Sequence, residues 1–384
     1  MNINRPYWEQ VLENSWSKRS IVWLAGVRRS GKTTLAKTLA KTSFEYCNCD
    51  DSDLQEELKN PKSYLKTVKT TGIVFDEIHQ IENASQLLKI AADEFPMLIV
   101  LATGSSTLSA NQKFKDSLTG RKRNIHFLPV LVSELDAFGA DLETRMLYGG
   151  LPPALLAREW DREFYSEWLD SFYARDVQEV FSIEKRQAFL KVFEFLLIQN
   201  GHMIEATEIA KVSGLSRPTV VKYLEVLQVT KAITVLKPFS GNPLKEIIAQ
   251  PKVYGFDTGF VCFARNERQL GATEKGRLLE NLVLESMQAH SFVQPIHFWR
   301  DKQGHEIDFV IQTKQNELLT IECKSQKRHF NSKNLVQFRN LYPHGKNVVV
   351  TFEDRDSREK FGNGEIQFMT IKTFFENVGQ LIPK

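Results

Sequence analysis

The 384-residue sequence is short of the features that announce a secreted, membrane or nucleic-acid-coating protein. It has only four cysteines, Cys47, Cys49, Cys262 and Cys323. Cys47-x-Cys49 has no second pair at zinc spacing, so reduced, packed thiols are expected in place of a disulfide framework or a structural zinc. Charge of one sign is also scarce. A net charge of +3 is too small to point to a nucleic-acid partner, so any such argument must come from local patches. Long apolar runs are missing: the longest, residues 97–102, is far too short to cross a bilayer. No apolar signal segment stands at residues 1–6, so the expectation is a soluble, cytoplasmic protein without a membrane partner. Repeats and low-complexity segments are absent as well. What remains is ordinary globular composition, 42% hydrophobic and 25% charged, over a length that suggests two to four domains.

The strongest local signal is Gly26-Val27-Arg28-Arg29-Ser30-Gly31-Lys32-Thr33, which fits G-x-x-x-x-G-K-[ST] at every constrained position. A buried-strand pattern, Ile21-Val22-Trp23-Leu24-Ala25, precedes it and a helical pattern from Thr34 to Ala40 follows, the context such a loop needs. Backbone N–H groups of the loop, with Arg29, Ser30 and Thr34, can close around phosphate oxygens at a helix N-terminus. Lys32 can reach the β- and γ-phosphates and Thr33 can hold Mg²⁺. A nucleoside triphosphate, read as ATP, is therefore expected.

Asp76-Glu77 directly follows the apolar strand Ile73-Val74-Phe75, a Walker B arrangement. Asp76 is assigned to the Mg²⁺ and Glu77 to the attacking water. After the next strand, residues 98–101, comes Thr103-Gly104-Ser105-Ser106. Thr103 and Ser105 read equally as γ-phosphate sensors or as plain turn residues. Arg121, opening Arg121-Lys122-Arg123, reads as a finger on a neighbouring copy's nucleotide, as part of a solvated basic run, or as a DNA-backbone contact. Arg175 is a lesser candidate for a sensor in the lid.

Residues 20–145 alternate short apolar runs with helical stretches, the pattern of a parallel sheet flanked by helices. Gly149-Gly150-Leu151-Pro152-Pro153 breaks that pattern, and a helical section rich in aromatic and acidic residues runs on to about residue 200. Next, residues 206–214 read as a short amphipathic helix with a glycine stop, and Ser216 caps a second helix with Pro218 in its first turn. This is a helix-turn-helix pattern with Ile209, Leu215, Val220 and Leu224 as its core. Arg217, Thr219, Lys222 and Tyr223 are then expected to face outward toward a DNA groove, and residues 233–236 and 246–253 to form a two-stranded wing. Between Arg217 and Lys252, six Lys or Arg stand against two Glu, a balance that suits phosphate. A protein–protein spacer beside an ATPase lid would use the same fold.

In the last section, Glu306-Ile307-Asp308 leads through a polar turn into Ile321-Glu322-Cys323-Lys324. Residues two apart on a strand share a face, so Glu322 and Lys324 project together, and a hairpin can bring Asp308 beside Glu322. Glu280, on the preceding helix, can complete a shell for a second Mg²⁺ or Mn²⁺, with Lys324 stabilising charge.

These stretches also carry a family resemblance. The P-loop, Val74-Phe75-Asp76-Glu77-Ile78-His79-Gln80, Leu118-Thr119-Gly120-Arg121, Gly149-Gly150-Leu151-Pro152, the run from Lys252 to Gly259 and Trp299-Arg300-Asp301 resemble the AAA-type ATPases that end in a DUF4143 domain. The D…E-x-K set is similar to the PD-(D/E)-x-K signature of archaeal Holliday-junction resolvases and restriction enzymes, with Ile307 where that name has Pro. The resemblance implies an α/β multidomain protein: an ATPase core (1–148), a helical lid (149–200), a winged-helix section (201–262) and a PD-(D/E)-x-K nuclease-like domain (263–384). Three functions follow as expectations. The first is a Mg²⁺-dependent ATPase acting on DNA, branched DNA included, as a homo-oligomer. The others are an ATP-gated scaffold that recruits a protein, and an ATP-regulated nuclease.

Overall fold

The computed structural model describes residues 3–41, 43–104, 118–241, 250–290, 294–313, 317–362 and 364–382. Ser105 lies outside the described residues, as do residues 246–249 of the expected wing.

A five-stranded parallel sheet forms the first layer, from β1 (Ile21–Ala25), β2 (Phe44–Asn48), β3 (Gly72–Asp76), β4 (Ile99–Gly104) and β5 (Lys122–His126). The order is β2-β3-β4-β1-β5. β1 and β3 are buried along their whole length because helices cover both faces, which is why they read as unbroken apolar runs. Alternate residues still go to different cores: Ile21, Trp23, Ile73 and Phe75 to one, Val22, Leu24 and Val74 to the other. β4 lies between β1 and β3, with Leu24 opposite Thr103 and Phe75 opposite Ala102. That register sets Thr103 between the P-loop and Asp76.

The helical section after Gly150 is broken more often than the sequence pattern implies. Helices Pro152–Ala157 and Arg162–Ser171 are separated at Arg158, which takes a left-handed conformation (φ 52°). A π-helical stretch, Phe172–Gln178, and helix Arg186–Ile198 follow. Trp168 stacks between Phe172 and Phe256 and meets the edge of Phe260, so the section is held by aromatic packing against the following unit.

Helix Ala206–Ser213 ends at Gly214 in the left-handed region, and Ser216 Oγ accepts from the Thr219 N–H to start helix Arg217–Val229. Strands β6 (Ile233–Leu236) and β7 (Lys252–Gly255) then pair antiparallel, with β7 beginning later than the spacing suggests. Ile209 and Val220 are fully buried, and Leu215 and Leu224 pack on the same core.

The last part is a mixed six-stranded sheet made of β8 (Ile296–Arg300), β9 (Glu306–Gln312), β10 (Leu318–Cys323), β11 (Asn347–Thr351), β12 (Ser357–Phe361) and β13 (Gly364–Thr370). Its order is β12-β13-β11-β10-β9-β8. Helices Ala272–Ala289 and Ile371–Leu381 pack on it. One apolar core runs continuously from Met146 through Val226 to Ile382. The chain is thus an α/β multidomain protein with a parallel-sheet P-loop core and a C-terminal mixed-sheet domain. No helix among the described residues is long and apolar enough to cross a membrane.

Candidate nucleotide cleft and carboxylate cluster

The loop after β1 folds back on itself. Lys32 Nζ donates to the carbonyls of Gly26 (2.9 Å) and Val27 (3.0 Å), and Ser30 Oγ to that of Val27. A Cβ at Gly26 would meet Phe127 O at 2.3 Å, so only glycine fits where the loop leaves the sheet. Burial pulls the Lys32 ammonium below its ordinary range, against the opposing effect of Glu77 and Asp176. A buried cation resting on neutral carbonyls is poised for an anion.

That loop lines a cleft of about 530 Å³ with Thr33, Thr34, Glu77, Pro152, Pro153 and Arg175 among its walls. Four of its lining side chains, Arg28, Arg29, Lys32 and Arg175, are cationic and one, Glu77, is acidic. Arg28 is ion-paired to the buried Asp176, and Arg29 lies 3.2 Å from Glu167 and over the Phe164 ring. Arg175, exposed on the π-helical stretch, has no ion-pair partner among the described residues.

The acidic pair is tightly braced. Asp76 is buried, accepts from Tyr46 OH at 2.8 Å and from Thr103 Oγ1, and Thr103 Oγ1 in turn accepts the Glu77 N–H at 3.0 Å. Thr103 is fully buried and its hydroxyl is engaged on both sides. Its hydroxyl therefore braces Asp76 and Glu77 against each other. Glu77 sits at a left-handed φ of 55° and lines the cleft. Burial would raise its carboxyl, but His79, 3.2 Å away, and the Lys32 charge outweigh that and hold it below the usual carboxylate range.

Arg121 lies elsewhere. It precedes β5 at the end of the sheet opposite the P-loop and ion-pairs with Asp93 (2.7 Å). From there it cannot serve its own cleft.

On the helix-turn-helix, Arg217 and Lys222 are exposed as expected. Tyr223 corrects the expectation of an outward side chain. It is 3% exposed and packs edge-to-face on Phe189, because Val220, Tyr223 and Leu227 share the helix's inner stripe. Thr219 spends its hydroxyl on Ser216 (2.8 Å) in the cap.

The C-terminal hairpin brings Asp308, Glu322 and Lys324 together. Lys324 Nζ is 2.9 Å from Glu322 Oε2 and 3.6 Å from Asp308 Oδ2, and Asp308 accepts the Cys323 N–H at 2.7 Å. Glu280 joins from its helix, accepting from Tyr254 OH at 2.7 Å. Burial, reinforced by Asp308, pushes the Glu280 carboxyl well above its usual range; burial does the same to Glu322, partly offset by Lys324. The donor oxygens are the hard type that Mg²⁺ or Mn²⁺ prefers. Lysine ammonium groups already sit on them, however, and no set of three or more His, Cys, Asp or Glu among the described residues is arranged to hold a metal ion.

Several partners gave no local signal in the sequence. Arg5 is buried on the far side of the P-loop, bonded to Glu134 and to the carbonyls of Ser30, Leu128 and Pro129. Asp176, Pro152 and Lys252 likewise reach their sites from distant sequence.

Family models match three consecutive stretches: an AAA domain at residues 18–135, a domain of unknown function, DUF8612, at 139–271, and a second, DUF4143, at 275–374. Uncharacterized proteins of Mycobacterium bovis and Mycobacterium tuberculosis are each 25% identical over 317 residues, 78% of this chain and 69% of theirs. Among solved structures, a Walker-type ATPase of Pyrococcus abyssi is similar over 68% of this chain and 96% of its own, at 16% identity and a TM-score of 0.45. The Thermotoga maritima RuvB Holliday-junction branch-migration motor is similar over 60% and 89%, at 16% identity and a TM-score of 0.32. With the P-loop core at one end and the mixed-sheet domain at the other, the chain belongs to the AAA-type ATPases that carry a C-terminal DUF4143 domain.

Proposed function

We propose that the chain is a Mg²⁺-dependent ATPase of the cytoplasm that acts on DNA, coupling ATP binding and hydrolysis to DNA binding or remodelling through a winged helix and a nuclease-like C-terminal domain. The observation that carries this reading is the cleft, where four cationic side chains and the start of helix Lys32–Ala40 face one carboxylate. A triphosphate gives an anion to Lys32 and Arg175, which have no ion-pair partner among the described residues, while Arg28 and Arg29 already hold Asp176 and Glu167. Lys32 exchanges its two carbonyls for phosphate oxygens, and Arg175 approaches from the lid side. Thr33 and Asp76 hold Mg²⁺, which when bound neutralises phosphate charge. Glu77, kept ionised by its surroundings, takes a proton from the attacking water, and Thr103 holds it in place.

DNA contact rests on Arg217 and Lys222, both exposed on the helix that Ser216 caps, with Thr219 beside them. Arg121 acts across an interface between copies, which makes the working form a homo-oligomer. The test is the ATPase rate of the full chain with and without duplex, single-stranded and branched DNA. Stimulation is expected with at least one form; insensitivity to all three would remove the DNA reading.

A second reading is an ATP-gated scaffold whose C-terminal domain recruits a protein. Its support is the burial of Asp308 and Glu322 beneath lysines, which suits a domain that no longer cleaves. Metal-dependent nicking that Asp308→Ala abolishes would instead favour an ATP-regulated nuclease with a second Mg²⁺ or Mn²⁺ at Glu280, Asp308 and Glu322.

A further inference from the structure

Four carboxylates meet beside the β6–β7 pair: Glu280 from helix Ala272–Ala289, Glu306 and Asp308 from β9, and Glu322 from β10. Lys324, the residue just after β10, accounts for Glu322 and Asp308. The second cation comes from outside the sheet that holds β9 and β10. Lys252, the first residue of β7, is 3% exposed, lies over the Phe298 ring and ion-pairs with Glu306. Glu280 and Asp308 also attract its charge. Two residues on, Tyr254 donates to Glu280 from the same face of the strand.

One oxygen is left over. Glu322 Oε1 is buried and has no hydrogen-bond partner among the described residues, and its side chain is only 4% exposed. A carboxylate oxygen in that position is costly unless a cation can come to it. The cluster thus has the oxygen donors of a divalent-cation site, while the positive charge within it is supplied by lysine.

We propose that Lys252 is a built-in counter-ion that keeps a divalent metal out of the C-terminal carboxylate cluster, so that Mg²⁺ or Mn²⁺ and the Lys252 ammonium compete for the same oxygens. The inference rests on reading the cluster as a cation site. It makes the site composite, since β7 belongs to the unit that bears the helix-turn-helix. Withdrawal of β7 removes Lys252 from Glu306 and Tyr254 from Glu280 in one movement. Two ammonium groups, a divalent ion and the Arg300 guanidinium on Glu306 together would place more positive charge than four carboxylates can favourably screen.

The experiment is a Mn²⁺ titration of the nucleotide-free full chain, followed by the EPR signal of free Mn²⁺, in an Asp76→Asn background that silences the P-loop site. Lys252→Met is expected to tighten Mn²⁺ binding at least tenfold over that background. Lys252→Arg, which keeps a cation, is expected to leave it unchanged. Adding Glu322→Gln to Lys252→Met is expected to abolish the gain. Equal binding with and without Lys252, or a gain that survives Glu322→Gln, overturns the counter-ion role. No binding by any variant overturns the cation-site reading with it. Should Lys252→Met not fold, acetylation of Lys252 in the unaltered protein, read by mass spectrometry, serves instead. Its reactivity is expected to rise when Mn²⁺ is added, and an unchanged reactivity overturns the proposal.

Discussion

Asp257 Oδ2 accepts the backbone N–H of Gly150 at 2.6 Å, and this contact ties the turn before the nucleotide cleft to the segment that follows β7. On one side, Gly150 is two residues from Pro152, which lines the cleft. On the other, Asp257 follows Gly255, the last residue of the strand that begins with Lys252. Arg145, fully buried, stands beside the contact and bonds Val130 O, Thr258 Oγ1 and Glu285. The turn beside the nucleotide cleft and the segment after β7 are thus joined through the buried side chains of Asp257 and Arg145.

Replacing Gly149 with Ala tests that joint. Gly149 has φ 82°, and a Cβ there would meet Asp257 Oδ1 at 2.0 Å, so the turn must move away from Asp257. A loss of about 2–4 kcal/mol is expected from the strained backbone and the displaced buried carboxylate. Urea unfolding of the variant measures it; a change under 0.5 kcal/mol would show that the turn is free to shift.

At the P-loop, Lys32→Ala is expected to abolish ATP binding. Glu77→Gln should keep binding but slow turnover by about 10²–10⁴-fold, the range of a lost general base. Equilibrium binding of a fluorescent ATP analogue and single-turnover hydrolysis separate the two. Equal loss of binding in both variants would contradict the role given to Glu77.

Arg121 and Lys32 are expected to belong to different subunits of one working site. Neither Lys32→Ala nor Arg121→Ala should hydrolyse ATP alone, whereas an equimolar mixture should recover a measurable fraction of activity. Failure to recover, with Arg121→Ala alone active, would return Arg121 to the surface ion pair it makes with Asp93.

DNA contact separates Lys222 from Tyr223. Lys222→Ala is expected to lower DNA affinity and reduce the slope of log K against log salt by about 1. Tyr223→Ala should leave that slope unchanged and cost about 3 kcal/mol of stability, because its ring fills the core against Phe189. Salt titrations of fluorescence anisotropy and thermal melts read the two effects.

Glu285 supplies a pH signature. Burial pushes its carboxyl from 4.5 up to about 7, with Arg145 opposing. An acid raised in the folded state contributes its full stability below the unfolded value, near 4.5, and loses it as pH rises through about 7. The unaltered protein should therefore lose melting temperature between pH 5 and 8 more steeply than Glu285→Gln. Parallel profiles would place the titration elsewhere.

The P-loop and Asp76-Glu77 were legible because their chemistry lies within eight and two consecutive residues. Backbone N–H groups and strand ends are local properties, and the apolar runs before them set the buried strands that aim them. The helix-turn-helix was legible for the same reason: Gly214 stops one helix, Ser216 caps the next and Ile209 and Val220 mark their inner stripe. Asp308, Glu322 and Lys324 could be paired because a hairpin is the shortest return between two strands, and β9 and β10 make it.

What local pattern could not decide was which side of a helix is covered. Tyr223 is amphipathic and stands beside Leu224, and the packing of Phe189 from an earlier helix covers the stripe that it shares with Val220 and Leu227. Thr103 is a commonplace turn residue until β4 is inserted between β1 and β3, which places its hydroxyl on Asp76. Arg5, Asp176 and Lys252 act through partners 129, 148 and 54 residues away. Sequence spacing alone picked out the groups expected to meet phosphate. Tertiary packing decided which charges face one another, because a buried charge takes whichever partner the fold sets beside it.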